Sequence, residues 1–107
     1  MEIRFFYITT ASRDEARAIG KKLVEYRLAA CVNIIDGMNS LYWWDGEVQD
    51  DRETVLIAKT TPDREAQLVE TVRSLHSYDC PCIVGLPVSS GNPAFLKWVV
   101  DQVATTS

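Results

Sequence analysis

The chain has 107 residues, 47% of them hydrophobic and 24% charged, which is enough apolar material for one domain spanning residues 1–107. Its net charge of −4, with no run of Lys or Arg, argues against a phosphate-binding surface, so nucleic acid is not an expected partner. No apolar run approaches the roughly 20 residues that span a bilayer, and no signal-peptide pattern opens the chain, so no membrane insertion is expected. Three cysteines, an odd number, fit a reducing compartment better than a disulfide framework and predict a soluble intracellular protein.

The first third of the chain predicts a strand followed by a helix. Residues 2–10, EIRFFYITT, are β-branched or aromatic except at the ends, which indicates a strand buried on both faces. Ser12-Arg13-Asp14-Glu15 has the capping-box pattern that begins a helix, and this helix should end near Tyr26. Its predicted buried stripe consists of Ala16, Ile19, Leu23 and Val24.

Residues 28–60 predict one long β-hairpin, because two strand-like runs flank the turn pair Asp45-Gly46. Leu28 to Trp44 fully extended would reach roughly 55 Å, at about 3.3 Å per residue, whereas a compact chain of this size is roughly 35 Å across. Gly37 offers a bulge or kink, but the hairpin must still bend or protrude. Its aromatic tip, residues 41–44, is therefore expected to pack on another copy of the chain.

The remainder predicts helix, strand and helix. Thr61-Pro62-Asp63 begins a helix whose buried stripe is Leu68, Val72 and Leu75 and which fails near His76. An edge strand is predicted from Cys82 to Val88, bounded by prolines and interrupted by Gly85. The apolar residues Phe95, Leu96, Val99, Val100 and Val103 predict a third helix, with Trp98 on its flank and a frayed tail over residues 105–107.

This order of elements predicts an α+β fold, a ferredoxin-like sandwich (βαββαβ plus a C-terminal helix) with a long protruding β-hairpin. Right-handed crossovers place the first and third strands in the middle of an antiparallel sheet and the second strand at an edge. A long aromatic edge strand is an aggregation hazard unless it is covered, and rotational assembly of identical chains would cover it. A ring of identical subunits is therefore the expected assembly.

Five segments carry a resemblance to a known family. They are LAACVNI at 28–34, SLYWWDG at 40–46, Lys59-Thr60-Thr61, the segment from His76 to Pro81, and the tail LPVSSGNPAFLKW. In this order and spacing they resemble the CutA-type divalent-cation tolerance family. The resemblance implies a ferredoxin-like subunit, a homotrimer, a cytoplasmic location in bacteria and an association with copper or another divalent metal, and it suggests no organic cofactor.

The cysteines and the histidine are the candidate metal ligands. Cys31 matches the cysteine of the family's AAC segment, which is implicated in metal binding, although small apolar neighbours also fit a buried thiol. Alternation along a strand would put Cys80 and Cys82 on one face, with His76 as a third ligand for Cu(I) or Zn(II). Alternatively, His76 caps the preceding helix while the two cysteines pack. The family usually has Pro where this chain has Ser77 and Glu where it has Cys82.

The resemblance also places a set of aromatic and charged residues around clefts between subunits: Tyr42, Trp44, Lys59, His76, Tyr78 and Trp98. Such a set could form a small-ligand pocket, and plain interface packing is the alternative. The acidic cluster around the hairpin is interpreted as a solvated loop; its members are Asp45, Glu47, Asp50, Asp51 and Glu53.

No catalytic motif appears in the sequence, so the protein is not expected to be an enzyme. The predicted function is a cytoplasmic, homotrimeric protein that binds copper or similar ions and contributes to metal tolerance. The alternative is a trimeric signalling or scaffold module that binds a small ligand or a protein partner in its subunit clefts, without a metal function.

Overall fold

The computed structural model describes residues 1–104, and the predicted frayed tail lies outside the described residues. The elements are β1 (Arg4–Thr10), α1 (Arg13–Glu25), β2 (Cys31–Trp44), β3 (Glu47–Thr60), α2 (Glu65–Leu75), β4 (Ile83–Pro87) and α3 (Pro93–Val103), with a 3-10 turn at Pro62–Arg64 before α2. The sheet has the order β2-β3-β1-β4, and all neighbouring strands are antiparallel. The α+β sandwich is therefore confirmed, with the first and third strands in the middle and β2 at an edge.

The main core forms between one face of the sheet and the helices α1 and α2. Alternation puts every second residue of a strand on the same face, and the register pairs Phe6 with Ala58 and Ile8 with Leu56 on the buried face. Ile19, Leu23, Leu68 and Val72 from the two helices complete this cluster. A smaller cluster joins α3 to the start of β1 and the residue before β2, through Ile3, Ala30, Val99 and Val103.

The first helix begins and ends where its sequence signals predict, but two residues of the predicted buried stripes are exposed. The Ser12 hydroxyl accepts a hydrogen bond from the Glu15 amide at 3.1 Å, and α1 ends before Tyr26, as expected. Val24 is 40% exposed and Leu75 is 46% exposed, so the prediction that both are buried was wrong for the subunit. Each follows the last buried residue of its helix, which is Leu23 in α1 and Val72 in α2.

The hairpin protrudes from the body of the subunit. Asp45 and Gly46 both have positive φ, at 52° and 73°, which is the backbone of the predicted tight turn. The register between β2 and β3 shifts between Ile35 and Met38, where Gly37 has a φ of 76°, so the predicted bulge is confirmed. The subunit measures 47 × 26 × 21 Å, and its radius of gyration of 14.5 Å exceeds the roughly 13 Å of a compact chain of this length.

The helices α1 and α2 do not cover the second face of the sheet, opposite the main core. Phe5 and Tyr7 of β1 point to this face and are half-buried, so β1 is not fully buried on both sides as predicted. Val84 and Leu86 of the edge strand β4 pair with them and are exposed. At the hairpin tip, Trp43 is 74% exposed. Large apolar side chains on an open sheet face and a protruding tip are typical of surfaces that another chain covers.

Candidate functional site

A cleft of about 760 Å³ lies where the hairpin leaves the body of the subunit. One wall is the distal half of β2, the other is the segment 78–82 that precedes β4, and the last residues of β1 form the floor. The lining residues are Tyr7, Thr9, Met38, Asn39, Ser40, Leu41, Tyr42, Trp44, Glu53, Tyr78, Asp79, Cys80 and Cys82. Three of the predicted cleft residues and two of the predicted metal ligands thus share one concave surface.

Glu53 is the buried charge of this cleft. It pairs with Met38 across the hairpin just beyond the end of β1, and it is only 7% exposed. The interpretation of the whole acidic cluster as a solvated loop was therefore wrong for Glu53. The Tyr78 hydroxyl donates a hydrogen bond to Glu53 Oε2 at 2.9 Å. Burial, followed by that hydrogen bond and the negative charge of Glu53, raises the pKa of Tyr78 well above its usual value.

Tyr42 brings a second phenol to the cleft from the opposite wall. Its hydroxyl donates a hydrogen bond to Asp51 Oδ2 at 2.6 Å, and this bond is the main cause that raises the pKa of Tyr42. Trp44, two residues further along β2, also lines the cleft and exposes 53% of its surface. The cleft therefore combines aromatic walls with the Glu53 carboxylate, whereas the Asp51 carboxylate that accepts from Tyr42 lies outside its lining.

His76 lies behind the cleft and already uses both of its ring nitrogens. Nε2 lies 2.7 Å from the Thr9 carbonyl oxygen, and Nδ1 accepts a hydrogen bond from the Tyr78 amide at 3.1 Å. Because a carbonyl can only accept and an amide N–H can only donate, the ring is the neutral tautomer protonated at Nε2. The side chain has no exposed surface, so His76 positions the segment that carries Tyr78. As a metal ligand it would have to give up one of these bonds.

Glu15 connects the segment that contains Ser77 and Tyr78 to the beginning of α1 through hydrogen bonds. Its two carboxylate oxygens accept hydrogen bonds from the Ala11 amide and the Ser77 amide, each at 2.9 Å. Burial alone would raise the pKa of Glu15, but the hydrogen bonds from Ser77 and Ala11 lower it below the usual value. A proline at position 77 would lack an N–H and could not make this bond.

The two cysteines near β4 are free and exposed, and both line the cleft. The predicted strand alternation does not place them, because β4 begins only at Ile83 and both precede it. Within residues 1–104, no group of three or more His, Cys, Asp or Glu side chains stands close enough to hold a metal ion. The thioether of Met38, which accepts a hydrogen bond from Tyr7 at 3.3 Å, is a third sulfur on the cleft surface.

The other predicted site residues lie at the opposite end of the sheet. Cys31 is half-buried at the start of β2 and pairs with Lys59, which is itself opposite Phe5 of β1. Phe5 precedes Tyr7, the nearest cleft residue of β1, by two positions, or roughly 7 Å along the strand. The Lys59 ammonium lies 5.9 Å from the centre of the Phe95 ring, and Phe95 stacks on Trp98 at 5.7 Å. Lys59, Trp98 and Cys31 are thus not part of the cleft within one subunit.

Sequence reasoning missed four residues of this region: Tyr7, Glu15, Met38 and Glu53. A signal for Glu53 did exist, because strict alternation places it on the same strand face as Val55 and Ile57, where a solvated carboxylate is not expected. The contact between Glu15 and Ser77 joins residues 62 positions apart. No local pattern could have revealed it.

Comparison with known proteins now defines the class of this chain. The family described as "CutA1 divalent ion tolerance protein" matches residues 4–102. The divalent-cation tolerance protein CutA of Thermus thermophilus is 50% identical over 95 residues, which cover 89% of this chain and 92% of that protein. The CutA protein of Archaeoglobus fulgidus is 40% identical over 99 residues, covering 92% and 96%.

Solved structures agree with this result. The Thermus thermophilus CutA1 structure has a TM-score of 0.91 and 47% identity and covers 95% of this chain and 98% of its own. CutA1 from Oryza sativa has a TM-score of 0.94 and 34% identity, with 99% and 97% covered. The chain belongs to the CutA1 divalent ion tolerance family. In residues 1–104, none of the helices has the length and apolar character needed to cross a membrane.

Proposed function

We propose that this protein is a cytoplasmic homotrimer that binds copper or a similar metal ion and contributes to metal tolerance, without acting as an enzyme. The observation that carries the metal proposal is the shared position of Cys80 and Cys82 on the surface of one cleft. Thiolates are soft ligands that select Cu(I) and Zn(II), and the Met38 thioether on the same surface adds a donor suited to Cu(I). The names of the relatives refer to divalent-cation tolerance and so support a role in metal tolerance.

The predicted ligands are tested by a competition titration with Cu(I) under reducing conditions. We expect the wild type to bind Cu(I) more tightly than a Cys80→Ser, Cys82→Ser variant. A Cys31→Ser variant, which removes a single thiol at the far end of β2, tests whether the candidate ligand outside the cleft contributes to the same affinity. Equal affinities of the wild type and the double variant would contradict the metal site.

His76 is tested separately, because its ring nitrogens are occupied in the subunit. If it joins the metal, its ring must leave either the Thr9 carbonyl or the Tyr78 amide. Addition of Cu(I) would then shift the ring NMR signals of His76 in the wild type and not in the double cysteine variant. Unchanged ring signals at saturating Cu(I) would remove His76 from the ligand set.

The homotrimer is supported by apolar surface that one subunit leaves open. Leu41 and Trp43 at the hairpin tip are 67% and 74% exposed, and Leu86 on the edge strand β4 is exposed as well. Three subunits around an axis could bury such surfaces through unlike patches and leave no free edge. Sedimentation velocity is expected to give a trimer at micromolar concentration. A stable monomer at that concentration would refute the assembly.

The cytoplasmic location rests on the three free thiols, which a reducing compartment preserves. A related structure from Archaeoglobus fulgidus is described as periplasmic, so the location needs a direct test. Fractionation of the native host should recover the protein with cytoplasmic markers. Recovery with periplasmic markers would contradict this part of the proposal.

A second candidate function is binding of a small ligand in the clefts between subunits. The specific observation in its favour is the cleft itself, because about 760 Å³ with aromatic walls and a few polar groups is typical of small-molecule sites. The predicted cleft residues Tyr42, Trp44 and Tyr78 line it, whereas Lys59 and Trp98 could contribute only from another subunit. Metal content measured after purification under reducing conditions separates the two candidates. A stoichiometric amount of bound soft metal would favour the function in metal tolerance. The absence of bound metal would favour binding of a small ligand.

A further inference from the structure

The segment that carries Cys80 and Cys82 is short and is held at both ends. At one end, the Tyr78 amide donates a hydrogen bond to His76 Nδ1 at 3.1 Å. At the other end, the Cys82 carbonyl oxygen accepts a hydrogen bond from the Thr9 amide at 3.3 Å. The Cα atoms of the two cysteines are two residues apart along the chain, so they are separated by at most about 7 Å. Because both thiols also lie on one cleft surface, they can reach the same ion.

A divalent ion such as Zn(II) needs more ligands than this pair supplies. Structural zinc sites have four, namely four cysteines, three cysteines with one histidine, or two of each. Residues 1–104 do not assemble even three His, Cys, Asp or Glu side chains around one point. His76 is the only histidine of the sequence, its side chain has no exposed surface, and both of its ring nitrogens are in hydrogen bonds.

Assembly of the proposed homotrimer does not remove this shortage. In a ring of three identical subunits, each of three equivalent sites can receive at most one copy of every residue. The sequence contains three cysteines, so a site built on Cys80 and Cys82 could gain only Cys31 as a further thiol. His76 is buried inside its own subunit and cannot reach a neighbouring one. A neighbouring subunit that covers the cleft would leave both thiols in place, because they belong to the same chain.

We infer that the ion bound at Cys80 and Cys82 is a monovalent soft ion, Cu(I) or Ag(I), and that the site discriminates against Zn(II). Two thiolates suffice for these ions, which accept a nearly linear arrangement of two sulfur ligands. The Met38 thioether on the same cleft surface is a further sulfur that suits Cu(I), whereas zinc sites use Cys, His and carboxylate ligands. Sulfur alone therefore holds the metal. This inference rests on the proposed metal function, and it assigns the charge and the ligand type of the ion.

The test titrates Cu(I), Ag(I) and Zn(II) separately into the reduced full-length protein without oxygen or added thiols, each against a chromophoric competitor. We expect the wild type to bind Cu(I) and Ag(I) at least about a hundredfold more tightly than the Cys80→Ser, Cys82→Ser variant does. The two proteins should bind Zn(II) with equal affinity, because the cysteine pair alone does not make a zinc site. X-ray absorption of the wild type loaded with Cu(I) should show sulfur neighbours only.

The outcomes separate the selectivity from the metal site itself. A Zn(II) affinity that falls in the double cysteine variant, or nitrogen or oxygen ligands on the bound Cu(I), would overturn the monovalent selectivity and leave the cysteines as a metal site. Carboxylates supplied by another subunit would produce the same result. Equal affinities of the two proteins for all three ions would overturn the metal site together with its selectivity. The absorption spectrum is measured on the wild type, so it does not depend on the folding of the variant.

Discussion

Replacing Glu15 by Gln should destabilise the protein, because this carboxylate joins two distant segments. Its oxygens accept from the Ala11 amide before α1 and the Ser77 amide after α2, each at 2.9 Å. A glutamine side chain has one acceptor oxygen, so it can keep one of these bonds and must turn its NH₂ group toward the other N–H. A hydrogen bond to a charged group contributes about 1.5–3 kcal/mol, so we expect a loss of about 2 kcal/mol at pH 7.

The loss should depend on pH in a defined direction. Folding lowers the pKa of Glu15, so the folded state binds the proton less tightly than the unfolded state does. The stabilisation is therefore fully present above the unfolded pKa of about 4.3 and disappears as the pH falls through the lower folded pKa. The difference between the wild type and Glu15→Gln should narrow as the pH falls below about 4.

Chemical denaturation at fixed protein concentration measures this difference, since the stability of an oligomer depends on concentration. The control is Asp14→Asn, which removes an exposed charge from the same first turn of α1 and should change stability by no more than about 0.5 kcal/mol. Hydrogen exchange of the Ser77 amide should accelerate in Glu15→Gln only. A loss of stability equal to that of Asp14→Asn, or one that stays constant down to pH 3, would refute the conclusion that the Glu15 carboxylate joins these two segments.

Three further predictions concern the cleft and the hairpin. Tyr78 should remain un-ionised at pH values where free tyrosine, with a pKa of about 10, has already ionised. Glu53→Gln should lower the pKa of Tyr78, because a negative neighbour is removed. Ultraviolet difference titration, with Tyr78→Phe as the reference, measures the ionisation of Tyr78 in the wild type and in this variant. Gly85→Ala should cost about 1–3 kcal/mol, because the added Cβ would lie 2.8 Å from the ring of buried Phe6, and a thermal shift within error of the wild type would contradict this packing. Gly46→Ala should cost about 1 kcal/mol through its φ of 73° alone, since no atom lies within 4 Å of the added Cβ; unchanged denaturation would show that the turn adapts.

The residues proposed for the two candidate functions lie on the surface of the same cleft. Cys80 and Cys82 stand on the same wall as Tyr78, so a metal held by the thiols would lie beside the predicted ligand pocket. The cysteine variants separate the two roles, because they leave Tyr42, Trp44 and Tyr78 intact.

The sequence alone determined the local elements, their order and the family. The capping box at Ser12, the turn at Asp45-Gly46 and the bulge at Gly37 depend on backbone preferences within a few residues, and each is confirmed. Strand order followed from connection rules, and the excessive length of the hairpin followed from its residue count. Such features are readable because their causes are short-range or topological.

Only the tertiary structure decided which residues share a site. Lys59 and Trp98 were predicted to share clefts between subunits with Tyr42, and within one subunit neither of them lines the cleft that contains Tyr42, because the register pairs Lys59 with Cys31 and Phe5. Glu53 looked like one more surface charge of an acidic loop until the cross-strand pairing with Met38 and the Tyr78 hydroxyl enclosed it. Burial depends on what packs over a residue from remote parts of the chain, and no local pattern in the sequence records that neighbour.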